Sequence, residues 1–197
     1  MTRARVIAAA CAVAALGGVA TACSPGGDTP GGDTPGGDTP GGVTTELRSS
    51  TDRSPSGTVP RLMLVVHNDS NAACSLPSHG IGSAIVTSVT RDGGDVASTS
   101  RPVPTFAPSI DAVRAALTPL PPGEALALDI QTSTDPAAVE SHRIDGGGTL
   151  VRTTWPTGDP GEYRVTAALE TPPAAARDDR PPLCAPTERA TATFTVE

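Results

Sequence analysis

The stretch that decides the fold is RLMLVVHN, residues 61–68. It is apolar almost throughout, so it reads as a central strand buried on both faces. Working outward, Asn68-Asp69-Ser70-Asn71 is a turn cluster and Cys74-Ser75-Leu76 opens a second short strand. Residues 83–90 and 95–99 flank Arg91-Asp92-Gly93-Gly94, a hairpin turn in which glycine tolerates positive φ. Leu126, Leu128 and Ile130 alternate along 125–132, after a turn at Leu120-Pro121-Pro122-Gly123-Glu124. Residues 148–155 form another strand. Pro160-Gly161 turns the chain into 162–170, where Tyr163, Val165, Ala167 and Leu169 point one way, and 190–197 ends it as an alternating strand. One short helix is expected at 109–117, with Ser109 as N-cap, Asp111 in the first turn, and Ile110, Val113 and Leu117 sharing a face. Seven or eight short strands at this spacing predict an all-β fold, an antiparallel β-sandwich spanning 46–197.

The N-terminal segments carry other information. Arg3 and Arg5 precede an apolar run from Val6 to Ala20, shorter than the roughly 20 residues of a membrane-spanning helix. Ala20-Thr21-Ala22 follows, so 1–22 reads as an export signal, the alternative being a retained anchor helix. Residues 23–45 contain three copies of GGDTP. Glycine makes such a segment flexible, proline forbids regular structure, and too little apolar surface is present to order it. A linker of this length has a root-mean-square reach on the order of 25 Å. Its Thr-Pro steps suit O-linked sugar.

Cysteine parity connects these parts. Cys11 leaves with the signal, and Cys23, Cys74 and Cys184 remain. Export reaches an oxidising compartment, so Cys74 and Cys184, both beside strand-like runs, are the natural disulfide pair. Closing that loop is worth roughly 2–4 kcal/mol. Cys23 is left at the new N-terminus. Ala20-Thr21-Ala22-Cys23 resembles the lipobox of bacterial lipoproteins, with Ala20 where that pattern has leucine. The resemblance implies acylation of Cys23 and attachment through membrane lipid on the extracytoplasmic face of the cell membrane. The competing reading is ordinary cleavage after Ala22 and secretion. With 14 arginines, no lysine, and abundant Ala, Gly and Pro, the composition resembles that expected of a high-GC, actinobacterial-type bacterium.

Composition excludes several functions. A formal charge of -7 with scattered arginines disfavours nucleic acid and anionic lipid surfaces, because phosphate contact needs clustered cations. Phe106, Trp155, Tyr163 and Phe194 are too few to build a stacking platform, and Trp155 reads as a core or edge residue. His67, His79 and His142 lack zinc-ligand spacing. Asp92 with Asp95, and Asp178 with Asp179, lack the ligand count of a calcium loop. No nucleophile elbow or phosphate-binding glycine loop is present, so the reading is a non-enzyme without catalytic residues, metal or cofactor.

Three stretches, LMLVVHNDS, LPPGEALALDI and WPTGDPGEYRVTAAL, are similar to those of the bacillus intracellular proteinase inhibitor family and related lipoprotein domains. The likeness covers residues 58–170. It implies an Ig-like β-sandwich. The cysteine pair and the Pro-rich 101–109 segment depart from the family pattern, and no inhibitory residue carries over. The resulting expectation is a membrane-tethered lipoprotein with a non-enzymatic Ig-like domain that binds an envelope protein or ligand through its long loops, Arg101–Ser109 and Thr171–Pro182. Inhibition of an extracellular protease, through a 101–109 loop stiffened by Pro102, Pro104 and Pro108, is the alternative. A secreted enzyme is the third reading.

Overall fold

The computed structural model describes residues 42–104, 110–145 and 148–197. The expected export signal, Cys23, nearly all of the expected linker and the expected cap Ser109 lie outside the described residues. In chain order the elements are β1 (Val43–Ser49), β2 (Arg53–Ser54), β3 (Leu62–Asn68), β4 (Cys74–Pro77), β5 (Ala84–Arg91), β6 (Gly94–Asp95), β7 (Thr99–Pro102), α1 (Ile110–Ala115), β8 (Leu117–Leu120), β9 (Ala125–Thr134), β10 (Ala137–Ile144), β11 (Leu150–Pro156), β12 (Gly161–Leu169) and β13 (Ala190–Val196). A 3₁₀ turn at Pro173–Ala175 interrupts the loop before β13. No helix among the described residues is long and apolar enough to cross a membrane.

One sheet runs β1-β3-β9-β10-β11-β7 and the other β2-β13-β12-β5-β6, with β4 and β8 as a separate ribbon. The strand pairs are antiparallel except β2 with β13. Neighbours β1, β3 and β9 in one sheet, facing β5, β12 and β13 in the other, reproduce the ABE and CFG split of an Ig-like sandwich. The place beside E differs. In the Ig arrangement it belongs to a strand preceding E, and here it is held by β10, which follows.

The core lies between the sheets. Leu62, Leu64, Val66, Leu128, Val139 and Trp155 from the first meet Val89, Tyr163, Val165, Ala167, Phe194 and Val196 from the second. Tyr163 is fully buried against Phe194, its ring centroid 5.4 Å away and stacked, and its hydroxyl donates to the Asp159 carbonyl at 2.9 Å. A tyrosine at the start of strand F, bonded back to the chain just upstream, is the tyrosine corner of Ig-like folds.

Several expectations change. The strand at 62–68 is fully buried on its inner face and only partly on its outer one. Outward Met63 and His67 are half-buried, while Val65 is covered from the side by Glu46 of β1 and Ala127 of β9, opposite it in register. β1 begins at Val43, inside the segment expected as linker, because Val43 and Leu47 face the core beside β3. The helix stops at Ala115, since Leu117 pairs with Pro77 in β8. The sequence pattern predicts no strand where β10 lies. Its stretch, Ala-Ala-Val-Glu-Ser-His-Arg-Ile, shows no apolar alternation, because the inward position after Val139 is a serine.

The turns follow their residue chemistry. Asp92 and Gly93 have φ of 51° and 82°, as a two-residue type I′ hairpin requires. Asp135-Pro136, joined by a cis bond, connects β9 to β10.

Candidate functional site

The β10–β11 ribbon borders clefts on both of its faces. Strand alternation sets this up: Ala138, Glu140 and His142 point outward with Pro156, Thr154 and Arg152, whereas Val139, Ser141 and Arg143 point inward with Trp155, Thr153 and Val151.

The ribbon is positioned by a split in the first sheet. β10 pairs with β9 only over Ala137–Glu140. Beyond that point the loop before β5 enters between them. Gly80 lies on the Asp129 carbonyl so closely that a Cβ would collide with it, and the Gly82 amide donates to the His142 carbonyl at 2.8 Å. The ribbon is then joined to the second sheet, where the buried Ser141 hydroxyl accepts the Val86 amide at 3.0 Å. That amide sits beside the bulge where β5 shifts register against β12.

The outer cleft has a volume of about 580 Å³. Its floor includes Arg101 of β7 and Arg152 of β11, which are direct register partners, together with Thr99, Thr154 and Glu140. Glu140 and His142 are largely covered, with side chains 17% and 14% exposed, and His142 Nε2 lies 3.9 Å from a Glu140 carboxylate oxygen. Burial pushes the His142 pKa below its ordinary 6.5. The Glu140 carboxylate opposes that shift and the Arg152 guanidinium adds to it. His142 Nδ1 is buried without a hydrogen-bond partner.

The inner cleft, about 450 Å³, lies at the seam between the sheets. Trp155, Thr153, Ser141 and Arg143 of the ribbon line it with Ile85–Thr87 of β5, Glu170 and Arg189. Arg143 is held to Glu170 at 2.6 Å. A third cleft, about 360 Å³, lies at the ribbon's tip and is lined by Arg143, Asp145, Glu170 and Thr171–Ala174 among others.

The expected contact loops are therefore only partly loops. Arg101 and Pro102 belong to β7, paired with Arg152 and Val151, because their backbone completes the edge of the first sheet. Residues 105–109, including Phe106 and Pro108, lie outside the described residues. Thr171–Ala174 contribute to the tip cleft, and Arg114 fixes them by donating to the Ala174 carbonyl at 2.8 Å through Nε. Further on, Arg177 pairs with Asp179 through both carboxylate oxygens, which holds the Asp179 pKa below the usual carboxylate range.

Cys74 and Cys184 form a disulfide with Cα atoms 4.9 Å apart, both buried. The bond sits where Ser75 exchanges backbone hydrogen bonds with Pro182 and Cys184, so it pins the long loop to β4. Asp92 is occupied structurally, accepting the Glu162 amide at 2.8 Å. Among the described residues no group of three or more His, Cys, Asp or Glu is placed to share a metal ion. Trp155 is a buried core residue whose edge reaches the seam cleft. Sequence reasoning did not single out Arg152, Glu140 or Arg143. The Arg152/Thr154 alternation was a readable signal, but without β10 it had no partner strand. No family model, curated protein or solved structure matches the chain.

Proposed function

We propose that this chain is a lipid-tethered, extracytoplasmic lipoprotein whose Ig-like sandwich acts as a non-enzymatic binding module. The observation that carries the binding reading is the β10–β11 ribbon, which is added to the sandwich and bordered by clefts on both faces. Some of the ribbon's polar side chains have structural duties. Ser141 accepts the Val86 amide, and Arg143 and Glu170 neutralise each other. The tether reading rests on Cys23, its small-residue approach and the Gly/Asp/Thr/Pro linker. Two acyl chains supply stable attachment, at about 0.8 kcal/mol per buried CH₂.

Two measurements test this. Intact-mass analysis of the protein from its native membrane is expected to show an N-terminal diacylated Cys23, and an unmodified cysteine overturns the tether. Capture of envelope components by the full-length protein is expected to fail when Thr154→Tyr fills the outer cleft or Arg189→Glu reverses charge at the seam. Capture unchanged by both variants, or inhibition of a protease in a panel, overturns the ribbon as the binding element.

A further inference from the structure

Among the described residues, most arginines are neutralised. Arg48, Arg53, Arg61, Arg91, Arg143 and Arg177 each hold a carboxylate at 2.6–2.8 Å. Arg101 and Arg152, like Arg164, Arg180 and Arg189, are in no ion pair among the described residues, but these two are direct cross-strand partners and both line the outer cleft. Like charges directly opposite on antiparallel strands destabilise the pair. Acid is not in short supply in a chain of net charge -7, and Asp135 and Glu140 line the same cleft. Strand register thus sets the two arginines side by side in the lining of one cleft, with Glu140 one residue row away.

That arrangement suits one ligand chemistry. Two guanidiniums present parallel N–H donors matched to the oxygens of a phosphate. A phosphate monoester carries roughly -1.5 to -2 at neutral pH and balances both cations, whereas one carboxylate balances half of them. The cleft, at about 580 Å³, exceeds what a bare phosphate fills and lies within the range of small-molecule sites. Glu140 faces Thr154, one side-chain row (about 7 Å) from the arginine row, so it accepts hydrogen bonds from hydroxyl groups rather than opposing the phosphate directly. Thr99, Ser133 and Thr154 add neutral hydroxyls.

We infer that the outer cleft binds the phosphate monoester of a small polyol, with Arg101 and Arg152 holding the phosphate and Glu140 receiving hydroxyls. This deepens the binding reading above and rests on it. The inference is tested by calorimetric titration of the full-length protein with glycerol 3-phosphate at low salt. Saturable one-to-one binding is expected, tighter than inorganic phosphate by about 10-fold and undetectable for glycerol alone. Arg101→Gln and Arg152→Gln are each expected to weaken it about 10-fold or more, while Arg164→Gln, an exposed arginine on β12, leaves it unchanged. Near-ultraviolet circular dichroism of Trp155 and Tyr163 checks that the variants are folded. The assignment is overturned by absent binding, by equal binding of succinate or inorganic phosphate, or by full affinity in both arginine variants. It is equally overturned if phosphatidylglycerol micelles bind in place of the free monoester, because the site then reads a lipid surface. None of these outcomes alters the acylation or capture results, so failure here is separable from failure of the binding-module reading.

Discussion

The hydroxyl of Ser141, on one sheet, accepts the backbone amide of Val86, on the other, at 3.0 Å in a buried setting. A side chain replaces a strand partner there, just where β10 leaves β9 and β5 shifts its register. Ser141→Ala keeps the shape and strands the Val86 amide, so it is expected to destabilise the protein by about 1–3 kcal/mol in urea unfolding. Ser141→Thr, which retains the hydroxyl, is expected to lose less. Equal stability of wild type and Ser141→Ala would show that water or a shifted backbone satisfies the amide.

Gly80 makes the same junction possible sterically. A Cβ there would collide with the Asp129 carbonyl oxygen, a backbone atom that cannot rotate away. Gly80→Ala is expected to cost about 1–3 kcal/mol as the loop backs out of the sheet. Gly42→Ala meets nothing within 4 Å and is the control, expected to be near neutral. A neutral Gly80→Ala variant contradicts the wedge.

The Cys74–Cys184 bond spans 110 residues and ties the loop before β13 to β4. The double variant Cys74→Ala/Cys184→Ala is expected to lose about 2–4 kcal/mol, mostly by freeing the unfolded chain. Comparison of unfolding midpoints for oxidised and reduced wild type reads the same quantity. Coincident midpoints would show that the bond adds no stability.

His142 links stability to pH. Its folded-state pKa lies below the ordinary 6.5, with burial as the main cause. Between the two values the unfolded chain binds the proton and the folded one does not. Stability is therefore complete above about 6.5 and declines as pH falls from there through the folded value. His142→Gln is expected to flatten this part of the pH–stability curve. A wild-type slope retained in the variant assigns the effect to another group.

Much of this protein was legible as pattern. Runs such as 61–68 and 162–170, with Asp-Gly and Pro-Gly turns between strands, specified an all-β sandwich, because side-chain alternation and turn chemistry are local properties. The places of Cys74 and Cys184 beside strand-like runs led to their pairing, which the structure shows. β10 was not legible, since its inward Ser141 is satisfied by an amide 55 residues away, which no local period records. Tertiary structure also decided where the arginines went. Arg101 and Arg152 are scattered in sequence and adjacent in space, because antiparallel pairing of β7 with β11 fixes which side chains share a face. The sequence determined that strands form and which face of each is apolar. Which strands became neighbours, and so which polar groups meet in a cleft, was set by long-range pairing and packing.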